Sequence, residues 1–151
     1  MPPPCSRAFA CWRANRASCS SVSSSKKDPL HLHRAYNDAA GVTAAFNLNL
    51  LARLNRELDA DFNLSQFRHY AFYNPTAGRI EMHLVSLVEQ TVNVAGQRFH
   101  FNLGEALHTE NSHKFRGDEF SALAASSGWQ LIHGWERDGF AVQLYGQEAG
   151  F

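Results

Sequence analysis

The sequence predicts a mixed α/β protein, α+β in the length present: an antiparallel β meander with one helix, then a C-terminal helix and β-hairpin. Three observations lead there. Val42 to Leu58 carries apolar residues at helical spacing. Residues 67 to 107 alternate with period two between turn signals. Beyond Asp118 a helix-start pattern is followed by two alternating runs around Asp138-Gly139. At 151 residues, one domain with a real core is the default, and the 44% apolar content is ordinary for one.

Asp28-Pro29 marks a break, and 26–35 reads as a connector leading into Ala35-Tyr36-Asn37-Asp38. Gly41 punctuates. In the helix that follows, Phe46, Leu50 and Leu54 form a stripe beside Leu48 and Leu51, with Arg53, Arg56 and Glu57 toward water. Asn47, Asn49 and Asn55 are poor helix formers and are expected mostly on its surface. Thr43 or Asp38 is placed to help its start. Asp59 to Gln66 is a turn segment.

Phe67 to Tyr73 reads as a strand, closed by the turn Asn74-Pro75-Thr76-Ala77-Gly78. In Arg79 to Val88, Ile80, Met82, Leu84 and Ser86 share one face, and Glu81, His83 and Val85 the other. Thr91–Val94, a turn at Ala95-Gly96 and Gln97–Leu103 form a hairpin. Asp118 is expected to cap a helix from Glu119 to Ser126, with Phe120, Leu123 and Ala124 inward and Gly128 at its end. Trp129–Trp135 and Phe140–Tyr145 are strands.

Between the hairpin and that helix lies Leu107-His108-Thr109-Glu110-Asn111-Ser112-His113-Lys114-Phe115. It reads as a strand-to-helix junction crowded with a carboxylate, a hydroxyl, an amide, imidazoles and an ammonium. Polar groups exposed on a loop and held by a rigid scaffold suit a site. A solvated loop with a helix cap is the plain alternative.

Bulk properties exclude several classes. Net charge is zero and pI is about 7.1, so nothing electrostatic favours nucleic acid or an anionic membrane. No apolar run approaches the length of a membrane span. The cysteines, Cys5, Cys11 and Cys19, form no C-x-x-C pair, so neither a zinc knuckle nor a disulfide framework is indicated. A body without cysteine suits a cytoplasmic protein. His31 and His33 form an H-x-H with no second ligand pair in view, so no metal is expected.

Three motifs carry a resemblance: H-T-E-N-S-H-K-F, A-Y-N-D-A-A-G-V-T-A-A-F-N-L-N-L-L-A-R-L-N-R-E-L and R-I-E-M-H-L-V-S. In this order and spacing they are similar to the histidine-specific, SAM-dependent methyltransferases, a family that includes the L-histidine Nα-methyltransferase of ergothioneine biosynthesis. The resemblance runs from about Lys26 to the C-terminus and covers only the C-terminal portion of that family's length. It implies a class I Rossmann-like methyltransferase, of which 115–151 supplies the last helix and hairpin. It implies that 36–114 is the inserted substrate-recognition domain.

The resemblance further implies site roles. Glu110 and Ser112 match the pair that reads the two imidazole nitrogens. Tyr36 matches the tyrosine that holds the substrate carboxylate. Met82 matches a pocket-wall residue. Each also has a plain reading: a core aromatic for Tyr36, core filler for Met82, a cap for Ser112. No covalent nucleophile is required, because orienting a neutral amine against an activated methyl does most of the work. A carboxylate and a hydroxyl would select histidine, since a wrong side chain leaves them unpaired. Glu110 argues against a tryptophan-like amine, whose indole has no acceptor.

The Gly-rich loop that a SAM site needs has no counterpart here. S-adenosyl-L-methionine is thus implied by the family while its binding loop is absent, and the chain is expected to be a truncated fragment inactive alone. The rivals are a stand-alone amino-acid-binding module, and one subunit of a split methyltransferase whose missing N-terminal half is supplied in trans.

Residues 1–25 look foreign to the rest: no acidic residue, no glycine, and serine throughout Ser20–Ser25 except Val22. A transit peptide, a disordered tail and a frameshift product all fit. Back-translated with G/C-rich codons and moved by one base, Arg16 to Ser23 can read G-E-L-L-V-G-V, a buried parallel strand. On that reading an upstream half was lost.

Overall fold

In a computed structural model of the chain, residues 10–14, 16–24 and 28–147 are described. Cys5, and Lys26 at the start of the resemblance, lie outside them. In chain order the elements are β1 (Ala10–Ala14), β2 (Arg16–Ser24), α1 (Pro29–Tyr36), α2 (Val42–Glu57), a single 3₁₀ turn (Leu64–Gln66), β3 (Phe67–Asn74), β4 (Arg79–Ser86), β5 (Gln90–Val94), β6 (Gln97–Phe101), β7 (Ala106–His113), α3 (Gly117–Ser126), β8 (Trp129–Arg137) and β9 (Phe140–Gln147). This is a mixed α/β chain whose sheets are antiparallel. It divides into two compact units, Asp28–His113 and the parts on either side of it.

In the unit Asp28–His113, α1 occupies what the sequence reads as a connector. Asp28 accepts from Leu30 N at 3.1 Å, and Pro29 begins the helix where no N–H donor is needed. Both residues signal a break and a start alike, so the short helix behind them is easily missed. At the start of α2, Asp38 is the residue that caps, accepting from Val42 N at 2.9 Å and Thr43 N at 3.0 Å.

The buried stripe of α2 is rotated from the expected one. Leu51 and Asn47 face inward, flanked by Leu48 and Leu54, while Phe46 and Leu50 are 64% and 37% exposed. Two asparagines set this rotation. Asn47 is buried at 3% exposure. Asn55 holds both backbone groups of Phe62, each at 2.8 Å, and so pins the chain beneath the helix. Only Asn49 is left exposed as expected. Beneath α2, Leu51 packs with Phe62, Phe67, Leu84, Val92 and Phe101. The three phenylalanine rings meet edge to face, with centroids 5.5 to 6.3 Å apart, the favoured aromatic geometry.

Residues 67–107 are not one continuous meander. β4 is the centre of a sheet ordered β3-β4-β7, and β5 pairs only with β6. The free edge of β4 is taken by β7 through the pairs from Arg79↔His113 to Val85↔Ala106. The hairpin β5–β6 therefore stands apart, tied to the turn before β3 by Asp61, which accepts from the Asn93 backbone at 2.7 Å.

The second unit is a sheet ordered β1-β2-β9-β8 with α3 packed on it. Residues 1–25, given no element by the sequence reading, supply two of its strands. β2 pairs with β9 from Ser18↔Gly146 to Ser24↔Phe140. Its core is Cys19, Phe120, Ala124, Trp129 and Tyr145. α3 begins two residues earlier than expected. Glu119 accepts from Arg116 N at 2.9 Å, and Asp118 instead bonds the Arg116 guanidinium at 3.1 Å. Leu123, expected inward, is 49% exposed. Among the described residues, no helix is long and apolar enough to cross a membrane.

The rotation of α2 sets the cost of two substitutions. Leu51→Ala leaves a cavity and lowers stability by about 2–5 kcal/mol. Phe46→Ala, on the exposed stripe, changes it by less than about 1 kcal/mol. Urea denaturation of both variants checks this, and equal losses would reject the burial described.

Candidate functional site

The polar stretch read as a loop is a strand. β7 covers Leu107 to His113, because its backbone groups are taken up by β4. What makes it suitable for a site is a single irregularity. Leu107 lies opposite Leu84 and His108 opposite His83, but Glu110 then lies opposite Met82 and Ser112 opposite Ile80. Thr109 is the extra residue, and its hydroxyl donates to Met82 O at 3.0 Å. Plain alternation would send Thr109, Asn111 and His113 to the face that Leu107 occupies. The bulge puts Glu110 and Ser112 there instead, since one inserted residue exchanges the faces of everything after it.

Tyr36 reaches this face from the last residue of α1. Its hydroxyl lies 2.8 Å from Ser112 Oγ, across 76 residues of sequence. The end of α1 is anchored by Asn37, which the sequence did not single out. Its side chain donates to His33 O at 2.9 Å and to Ala71 O at 2.8 Å, and accepts from Ala71 N at 3.0 Å. The Asn37 amide thus acts as one residue of an added strand on the open edge of β3.

Of the four residues singled out, Tyr36 and Ser112 are brought into contact. Glu110 follows on the same face, exposed. Met82 lies directly opposite Glu110, but its side chain is 2% exposed and packs with Leu32, Ala71 and Ile80, against which Tyr36 also rests. Met82 is therefore a floor beneath the polar groups.

The other face of the sheet carries Glu81, His83 and His108, whose donor atoms lie within 4.8 Å of one another. Two imidazoles and a carboxylate are a possible ligand set for a divalent metal. Their present engagements are different. Glu81 is held by Arg79 at 2.8 Å and by Asn74 at 3.1 Å. His83 is stacked between Phe72, at 5.4 Å and 11°, and His108, at 4.6 Å and 22°. Near-parallel stacked rings direct their lone pairs side by side, not toward one point. His108 Nε2 also lies 2.9 Å from Asn111 Oδ1. His31 and His33, two apart on α1, do not share a helix face.

Two titrations on this face are displaced. The hydrogen bond from Arg79 holds the Glu81 carboxyl below its usual range, against the opposing effect of burial. Burial, and then the proximity of His108, pushes His83 below the usual imidazole range.

Residues 22–147 match the family described as histidine-specific methyltransferase, SAM-dependent. The chain belongs to that family. A histidine N-alpha-methyltransferase of Mycolicibacterium smegmatis is 49% identical over 111 residues, covering 72% of this chain and 35% of that protein. One of Mycobacterium tuberculosis is 44% identical over 122 residues, covering 78% of this chain and 38% of that protein. An N-methyltransferase of Aspergillus flavus is 24% identical over 112 residues, covering 72% of this chain and 30% of that protein. The chain therefore spans a little over a third of the length of the mycobacterial proteins it matches.

The displaced carboxyl has a consequence for acid stability. Glu81 titrates lower in the folded chain than in the unfolded one, so the unfolded state takes up protons first as pH falls. Its contribution is full above the unfolded carboxylate value of about 4.3 and is lost as pH falls through the lowered folded value. Glu81→Gln is expected to flatten that acid limb, read as the difference in urea midpoint between neutral and acidic buffer. An unchanged difference would remove Glu81 from the account.

Proposed function

We propose that this chain carries the histidine-recognising part of a SAM-dependent Nα-methyltransferase, the kind of protein that adds methyl groups to the α-amine of L-histidine in ergothioneine biosynthesis. One observation carries the reading most: Tyr36 and Ser112 meet at 2.8 Å, beside Glu110 on the same face of β7. On this reading the Glu110 carboxylate accepts from one imidazole N–H. The Ser112 hydroxyl donates to the other ring nitrogen. Tyr36, drawn off Ser112 by the ligand, takes the substrate carboxylate. Met82 backs the ring from below. Residues 36–114 then form the substrate-recognition domain, and 115–151 the last helix and hairpin of a Rossmann-like domain. The setting would be the cytoplasm.

S-adenosyl-L-methionine supplies the methyl group in this family. The described residues do not fit it. Gly41, Gly78, Gly96, Gly104, Gly128 and Gly139 have positive φ, but each lies alone near an element end or turn, and none belongs to a Gly-rich loop opening a helix at the end of a parallel strand. No step is therefore routed through SAM on this chain, and the work left to its own residues is selecting and orienting histidine.

Titration calorimetry of the purified chain tests this. L-histidine is expected to bind, and L-phenylalanine and L-tryptophan to bind far more weakly. Glu110→Gln removes a charge-assisted hydrogen bond and weakens histidine binding by about 10- to 100-fold. Added SAM is expected to give no methylated histidine. Equal affinity for the three amino acids would sink the histidine reading, and turnover would overturn the statement about SAM.

A further inference from the structure

Tyr36 is the last residue of an eight-residue helix, too short to hold its shape in isolation. Its carbonyl has no partner within the helix, as is general for the last turn. His69 of β3 provides one, with Nε2 2.8 Å from Tyr36 O. A carbonyl can only accept, so Nε2 must carry a proton.

The other nitrogen of the ring is fixed from the opposite side. His69 Nδ1 lies 3.0 Å from Asn47 Nδ2 of α2. The same amide nitrogen donates to His83 O of β4 at 3.0 Å. Turning the Asn47 amide over would set its oxygen against that carbonyl, two acceptors face to face. Nδ2 therefore stays where it is and spends both hydrogens. His69 Nδ1 can then only accept, and the ring is neutral with its proton on Nε2. Asn47 is 3% exposed, so water does not readily replace a lost partner.

We infer that Asn47 and His69 are positioning residues, a hydrogen-bond relay running outward from the Asn47 amide that sets the Tyr36 hydroxyl against Ser112. Asn47 of α2 donates on one side to the backbone of β4 and on the other to His69 of β3, which donates to the carbonyl closing α1. That carbonyl belongs to the residue whose hydroxyl bonds β7. Both side chains are engaged by protein groups, at His83 O and Tyr36 O, and act on the site through Tyr36. What the relay serves rests on the histidine-binding reading above, whereas its hydrogen-bond directions stand on the geometry alone.

Two measurements test it. In the ¹⁵N-histidine-labelled chain, long-range ¹H–¹⁵N correlation is expected to show His69 as the neutral, Nε2-protonated tautomer. Asn47→Asp, whose side chain can only accept, should abolish that pattern. In L-histidine titrations, His69→Leu is expected to lose about tenfold or more in affinity. His69→Gln, which can both donate to Tyr36 O and accept from Asn47, should recover it to within about threefold. Wild-type affinity in His69→Leu, or an Nδ1-protonated ring in the unmodified chain, overturns the inference.

If the unmodified chain does not bind histidine, the functional reading falls, and the relay is judged without ligand. Tyr36 ring resonances displaced by His69→Leu and restored by His69→Gln uphold it. Resonances that do not move refute it. Should His69→Leu fail to fold, Asn47→Asp takes its place in both measurements with the same expectations.

Discussion

One extra residue in β7 governs what both faces of the sheet in Asp28–His113 present. Thr109 breaks the alternation between His108 and Glu110 and ties its hydroxyl to the Met82 carbonyl. Because the side-chain period of a strand is two, every residue beyond the bulge changes sides. Ser112 is thereby delivered to the tyrosine of α1, and Glu110 to the face above Met82. On the opposite face His108, which precedes the bulge, stays opposite His83 and stacks on it.

The second recurring device is the asparagine side chain used as a piece of backbone. Asn37 completes the edge of β3 at Ala71, Asn55 does the same for Phe62, and Asn47 joins His83 O to the ring of His69. An amide carries donor and acceptor at the spacing of a peptide group, so it can satisfy groups that would otherwise be buried unpaired. These contacts outweigh helix propensity. They turn α2 so that an asparagine is buried where phenylalanine was expected, and Phe46 is left outside.

Family membership and fold inform each other only in part. The match over residues 22–147 takes in α1 through β9 and the end of β2. The residues that the resemblance picks out for histidine recognition all fall within Asp28–His113. The unit that contains α3 has instead the sheet order β1-β2-β9-β8 and a core built around Tyr145 and Trp129. Its helix and last hairpin were legible because their signals are local: an acidic helix start at Asp118-Glu119, Gly128 after the helix, and Asp138-Gly139 between two alternating runs. β2 was not, because Arg16–Ser24 is mostly serine, alanine and cysteine, and carries no apolar period to read. Pairing with β9 on one side and β1 on the other makes it a strand.

The sequence by itself determined the α2, β3, β4 and β8–β9 segments, the turns between them, and, through its motifs, the family; the same motifs nominated Tyr36, Met82, Glu110 and Ser112 as candidates. These rest on local periodicity and on short contiguous patterns. Only the tertiary structure decided that β7 is a strand and not a loop, that the second edge of β4 pairs with β7 and not with β5, and that Asn37, Asn47 and His69 hold Tyr36 in place. Those features depend on partners 22 to 76 residues away in the chain. A hydrogen bond closed over such a distance leaves no periodicity in the sequence at either end.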